Sequence, residues 1–317
     1  MTTLSQHRLP CLLFLVVLSL FAAQLVAADP PVPNGEKLFA RDNLVAWCIV
    51  PFDAKKRTPT ERVEMLKKLG FKKYAYDWRD EHLPTFDEEV GLLKKAGIEL
   101  TAVWFPANLG ADARKLLGGI KKHDVKPQLW VTMGDPAGKD QKEKVETAAS
   151  IIRPIAAEAD KLGCSIALYN HGGWFGEPEN QIAVIETLKL KNVGIVYNFH
   201  HGHDHLDRFS ELLKKMMPYL LALNLNGMVK DGEKLGKKLL PLGQGELDLK
   251  LLKAIAESGY AGPIGILGHT QDDAESRLCD NLDGLDWLIP QLEGKPAGPK
   301  PKYRTMSAVP VVTAIVA

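Results

Sequence analysis

The chain has 317 residues, 45% of them hydrophobic and 25% charged, with a formal net charge of +1. This is the composition of a folded globular protein, large enough for one sizeable α/β domain or two small ones, and it excludes a fibrous or low-complexity chain. With 40 Lys and Arg against 39 Asp and Glu, charge gives no reason to expect nucleic acid or an anionic membrane as a partner.

Residues 1–28 read as a secretory signal. Arg8 supplies the positive start, residues 11–26 the apolar core, and Val26-Ala27-Ala28 a small-residue cleavage site. The apolar run is short for a membrane span. The expectation is export to the periplasm or beyond the cell, with no membrane attachment once the leader is cut. Residues 29–42 then form a polar, proline-broken linker. Cys48, Cys164 and Cys279 remain after the leader. An odd, sparse set is not a disulfide framework, although one bridge is open.

From residue 43 onward a strand-like run and a helical pattern alternate eight times. The strand-like runs are 44–50, 72–76, 99–105, 127–132, 165–169, 194–198, 220–226 and 263–267. Each is short and apolar on both faces, as parallel strands covered on two sides must be. The helical patterns are 60–69, 86–96, 111–123, 141–162, 179–190, 206–217, 247–258 and 272–288. Gly70, Gly97, Gly163 and Gly259 stand where helices end before the next strand. Eight such units predict an α/β fold of the (β/α)₈ TIM-barrel type over residues 43–290. No glycine-rich phosphate loop follows the first strand, which disfavours an open doubly wound sheet. Residues 227–246 form a long polar loop, a candidate lid. Residues 291–317, rich in Pro, Gly and Lys, read as a disordered tail.

In such barrels the chemistry gathers at the carboxyl ends of the strands. Of nine histidines, His200, His201, His203 and His205 fall within seven residues after the sixth run, while His171 and His269 follow the fifth and eighth. Imidazoles at that place suggest metal binding or proton transfer, against a merely solvated histidine-rich loop. Asp77 and Glu177 are the carboxylates to join His171 and His201 in catalysis. Trp47, Trp104, Trp130 and Trp174 lie on or beyond strand ends and offer flat faces to a sugar ring, core packing being the plainer role for any one of them. Arg79, Tyr169, Asn170, Asn224 and Asn226 could meet hydroxyl groups, or, for the amides, satisfy one another.

The runs Ala167-Leu168-Tyr169-Asn170-His171-Gly172-Gly173, Asn198-Phe199-His200-His201 and Gly262-Pro263-Ile264-Gly265-Ile266-Leu267-Gly268-His269, with the order of elements, resemble the xylose isomerase-like TIM-barrel superfamily. They resemble in particular the secreted members common in planctomycete-type bacteria. The resemblance covers about residues 44–288 and implies a sugar isomerase or epimerase. It also implies a divalent metal held by Glu after strand five, Asp after strand six, a His three residues on, and Glu after strand eight. Here Tyr169, Asn198 and Gly268 or His269 stand at the acidic positions, and only His201 matches. Asn224 and Asn226 stand where His and Asp are often found after strand seven.

Without those carboxylates a hard Mg²⁺ or Mn²⁺ is poorly served. One reading is a site of His171, His201 and His269, with Asn198 assisting, for Zn²⁺ or another transition metal. The other is metal-free acid–base catalysis, with Asp77, Asp135 or Glu177 as partner. Function is then expected to be an exported sugar isomerase or epimerase-like enzyme, or a lyase, acting on a small carbohydrate by proton abstraction. The alternative is a barrel that has lost catalysis and binds carbohydrate. Nothing in the sequence fixes an oligomeric state.

Overall fold

The computed structural model describes residues 35–305; the expected leader, the first part of the linker and residues 306–317 lie outside the described residues. Eight parallel strands close into a barrel in chain order. They are β1 Leu44–Trp47, β2 Lys73–Tyr76, β3 Glu99–Phe105, β4 Gln128–Val131, β5 Ser165–Tyr169, β6 Val193–Asn198, β7 Leu220–Leu225 and β8 Ile264–Leu267. β8 pairs back onto β1, Leu44 opposite Ile264 and Trp47 opposite Leu267. The fold is therefore a (β/α)₈ TIM barrel.

A short helix, α1 Gly35–Leu38, precedes β1. The helices between strands are α2 Pro59–Leu69, α3 Phe86–Ala96, α4 Ala111–His123 and α5 Gln141–Lys161; α6 Gly173–Gly176 and α7 Pro178–Leu188 follow β5. α8 Phe209–Met216, α9 Asp248–Glu257 and α10 Ala274–Leu292 complete the ring. Local chemistry sets their ends. Thr58 and Glu61 form a reciprocal capping box with Pro59 in the first turn of α2, and Gly70 closes that helix in the left-handed region. The expected helix at 206–217 starts later, at Phe209, because residues 203–208 wind as 3₁₀ turns. No described helix is long and apolar enough to cross a membrane.

Alternate residues of each strand face opposite ways, and the two faces build two apolar masses. Leu44, Tyr74, Val103, Leu129, Ile166, Ile195, Leu223 and Ile264 point outward into the large core shared with the helices. Val45, Trp47, Ala75, Ala102, Trp130, Ala167, Tyr169, Val196 and Ala222 fill the barrel itself. Small and large residues alternate there because four alanines leave the room that two indoles and a phenol take up. Gly265 belongs to the same fit, since a Cβ on it would lie 2.3 Å from the Trp47 ring.

The three cysteines of the barrel are free, so no bridge joins them. The tail departs from the expected disorder as far as Thr305. The buried Asp280 carboxylate accepts from the Thr305 backbone and hydroxyl at 2.6 and 2.7 Å and from Arg304, and Tyr303 donates to Leu242 O at 2.9 Å. These bonds dock a Pro- and Lys-rich segment that has little apolar burial to offer.

Candidate active site at the carboxyl end of the barrel

The top of the barrel interior is a packed aromatic layer. Trp47 and Trp130 are 0% exposed, their ring centres 3.8 Å apart, and Tyr169 lies parallel to Trp130 at 6.3 Å. The expectation that Trp47 and Trp130 offer faces to a sugar is therefore corrected: both strands direct them into the barrel, where they pack rather than line a pocket. Tyr169 is likewise buried, at 2%. Trp104 is half-buried and meets Trp47 and Tyr169 edge-on at 5.6 and 5.4 Å.

Directly above stands a row of imidazoles from three strands. His171 and His201 have ring centres 4.3 Å apart, His201 and His200 4.3 Å, and His200 stacks on His269 at 4.8 Å. Phe52, from the loop after β1, stacks on His269 at 3.7 Å. Tyr169 touches both His171 and His201 at 5.7 Å and joins the two layers. The turn that presents His200 and His201 is built by Asn198, whose side-chain oxygen accepts from His200 N at 3.0 Å and starts a 3₁₀ turn over Phe199–His201. After β5, Asp135 accepts from Trp174 N at 2.6 Å and fixes the glycine turn below His171.

Burial keeps these imidazoles neutral. It lowers His171, lowers His200 well below the ordinary value, and takes His201 to about 2 and His269 to about 4, with neighbouring rings and Lys238 adding to the effect. Asp77, at the end of β2, moves the opposite way. Burial raises its carboxyl to about 7, partly offset by Arg79 and by the Val50 N–H at 3.3 Å. Its Oδ2 has no hydrogen-bond partner. The neighbouring Cys48 thiol is pushed well up, by burial first and then by Asp77, and its backbone sits at φ +55°.

The divalent metal implied by the family resemblance does not fit these side chains. Asn224 Nδ2 donates to Asn198 Oδ1 at 2.6 Å, and Asn198 Nδ2 donates to Tyr169 Oη at 2.6 Å. Asn170 exchanges two further bonds with the Asn198 backbone, at 2.7 and 3.1 Å. The positions expected to carry acids thus hold a neutral network, with Asn224 Oδ1 left without a partner, where a hard cation needs charged oxygens. Among the described residues no three His, Cys, Asp or Glu side chains form a group able to hold an ion. His171, His201 and His269 are brought together in the row, with Asn198 shaping the turn under His200 and His201.

The remaining expected residues spread out. Glu177 pairs with Arg208 at 3.0 Å and His205 at 3.3 Å, and His205 in turn meets Tyr197 of the outer core. Trp174 Nε1 donates to Gln141 Oε1 of α5 at 2.8 Å. Asn226 is buried and ties down the 227–246 loop through Gly227 O and Lys238 O at 3.1 and 3.3 Å. Arg79 is exposed, with its guanidinium carbon 5.4 Å from the Phe52 ring centre. Phe52, Lys238 and Cys48 were missed. Lys238 had a signal in the long polar loop after β7; Phe52 and Cys48 had none beyond nearness to a strand end. At the amino end of the barrel a cavity of about 290 Å³ lies between Lys37, Asp42, Lys73 and Tyr260, with no imidazole at it.

A closed eight-stranded barrel with its titratable groups at the carboxyl mouth defines the class. Within it, the family model for the xylose isomerase-like TIM barrel matches residues 63–290, and the chain belongs to that family. Solved structures share the fold. The 3-keto-D-glucoside 4-epimerase YcjR from E. coli, in apo form, has a TM-score of 0.58 at 16% identity, over 78% of this chain and 98% of that one. The IolI protein with a zinc atom bound reaches 0.62 at 15% identity, over 79% and 99%. A xylose isomerase domain protein from Planctomyces limnophilus reaches 0.55 at 13%, over 80% and 97%. No curated protein matches the chain in sequence.

Proposed function

We propose that the protein is an exported enzyme of the sugar isomerase and epimerase kind, moving a proton on a carbohydrate held at the mouth. The observation that carries this reading is the imidazole row at the carboxyl end of a xylose isomerase-like barrel. Structural neighbours described as 3-keto-D-glucoside 4-epimerase, D-psicose 3-epimerase and L-ribulose 3-epimerase support it. A neutral imidazole donates from one nitrogen and accepts at the other, which suits a hydroxyl-rich ligand. His171, exposed and the least buried of the row, is the group to take a proton from the carbon beside a carbonyl. His201 and His269, too weakly basic for that, orient hydroxyls. Asp77, near 7, is poised to exchange protons around neutrality.

The test is solvent deuterium exchange into neutral and oxidised monosaccharides, followed by NMR. The expected result is label at the carbon next to the carbonyl, reduced about 10²–10⁴-fold in His171→Ala. Sugar that binds without exchange in the unaltered protein would overturn catalysis and leave the second reading, a carbohydrate-binding barrel. The neutral network of Tyr169, Asn198 and Asn224, in place of the family's acids, favours that alternative.

A further inference from the structure

The loop after β7 reads as a lid, yet its second half is tied down at every carbonyl from Lys238 to Leu242. Lys238 O accepts from His203 Nε2 at 3.1 Å and Asn226 Nδ2 at 3.3 Å, and Leu239 O from Arg277 Nη2 at 2.9 Å. Leu240 O accepts from Gly227 N at 2.7 Å, Pro241 O from Gln244 N at 3.1 Å, and Leu242 O from Tyr303 Oη at 2.9 Å. The Leu239 side chain packs, with Phe52 and Trp104, on the residues that fill the barrel. The fixed half of the loop thus places an apolar side chain at the mouth.

Two of those ties lead to the far end of the chain. Arg277, in the first turn of α10, is 3% exposed, and its Nη1 donates to Thr305 Oγ1 at 3.4 Å. Thr305 Oγ1 donates in turn to Asp280 Oδ2 at 2.7 Å, one turn further along α10. A chain of bonds therefore runs from Asp280 through Thr305 and Arg277 to Leu239, beside the direct tie from Tyr303. Two glycines make room for it. A Cβ on Gly284 of α10 would lie 1.7 Å from Leu242 O, and one on Gly243 2.5 Å from the Tyr303 hydroxyl.

Resting on the reading of the mouth as the ligand site, and not on its reaction, we propose that residues 295–305 are a strap that sets the mouth from outside. Tyr303 and Thr305 are positioning residues. Acting through Leu242 and through Arg277, they hold Leu239 beside Phe52 and Trp104, where the three form an apolar wall for the carbon face of a sugar. The planar guanidinium suits the task, since a partner on one nitrogen fixes the direction of the other. Opening 238–242 breaks these bonds and leaves the barrel core intact, so the wall can loosen without global unfolding.

The experiment compares the full chain with Thr305→Ser and with the double variant Tyr303→Phe, Thr305→Val. Hydrogen exchange over residues 238–242 is read by mass spectrometry, and access to the mouth by the rate at which diethyl pyrocarbonate modifies His201 and His269. In the double variant exchange at 238–242 should quicken about tenfold and both imidazoles should react severalfold faster. The α3 and α4 peptides should not change, nor should His123, which meets Asp87 at 3.0 Å across those helices. Thr305→Ser keeps the hydroxyl and should behave as the unaltered protein does. Unchanged exchange and modification in the double variant overturn the proposal, leaving Asn281 and the loop's own bonds to hold 238–242. Faster exchange that extends to α3 and α4 also overturns it, because the tail then stabilises the whole barrel instead of positioning one wall. Neither readout uses a sugar, so an unaltered protein that binds no carbohydrate removes the ligand reading and leaves the strap to be judged on its own result.

Discussion

Trp47, Trp130 and Tyr169 sit one layer below His171, His200, His201 and His269, and ring contacts join the layers. Both are crowded and aromatic, yet they answer to different physics. The lower layer is dry, interleaved with alanines, and has a packing reason for every ring. The upper layer carries the ionisable rings: His200 Nδ1 is buried without a partner, as Trp47 Nε1 is in the layer below, while the His201 and His269 rings are only partly buried. Buried polar atoms left that way cost stability. The lower layer is explained mainly by packing; the upper layer carries the groups that can meet a ligand.

Paired substitutions test that division most strongly. Trp130→Ala should lower unfolding stability by about 3–5 kcal/mol, read by urea denaturation, because a filled barrel cannot close over a missing indole. His201→Ala should change stability by less than about 1 kcal/mol and yet cost about 100-fold or more in turnover. Comparable stability losses in the two would make the histidines a second packing layer and end the distinction.

A smaller effect probes the amide network between the layers. Asn198→Asp restores the acid expected of the family, with Asn224 Nδ2 still able to donate and the Tyr169 hydroxyl able to turn and donate in its place. The new carboxyl is buried, so stability near neutral pH should fall by about 1–3 kcal/mol. Adding Zn²⁺ or Mn²⁺ should then stabilise this variant and not the unaltered protein, measured by melting temperature. Equal stabilisation of both would show that the native amides already accept a cation.

Most of the fold was legible in the sequence, because buried parallel strands write continuous apolar runs and helices end at glycines; β3 and β5 agree with the expected runs residue for residue. The site was legible only in part. Strand-end position collected His171, His201 and His269, since topology alone converges those ends. It could not tell an inward-packed Trp130 from a rim residue, because both follow the same strand and only the small residues on neighbouring strands decide. It also missed Phe52 and Lys238, whose places depend on loop conformation, and it read the tail as disordered because Pro and Lys hide the hydrogen bonds to Asp280 that hold it.

Asp77 belongs to neither layer cleanly, which makes it the finest test of the boundary. It is 1% exposed like the indoles, but it is ionisable and has a free oxygen like the imidazoles. Its carboxyl, at about 7, lies above the ordinary 3.8. The folded protein therefore keeps a proton that the unfolded chain releases, so this residue costs stability increasingly as pH rises above about 4, and fully above about 7. Asp77→Asn removes that cost. The variant should match the unaltered protein near pH 4 and exceed it by on the order of 1–3 kcal/mol near pH 8, read by urea denaturation at each pH. If Asp77 also moves a proton in turnover, the same substitution removes the limb near 7 from the pH–rate profile. A gain in stability with the limb intact would assign Asp77 to the packed layer, and a stability difference independent of pH would mean that the carboxylate is ionised throughout.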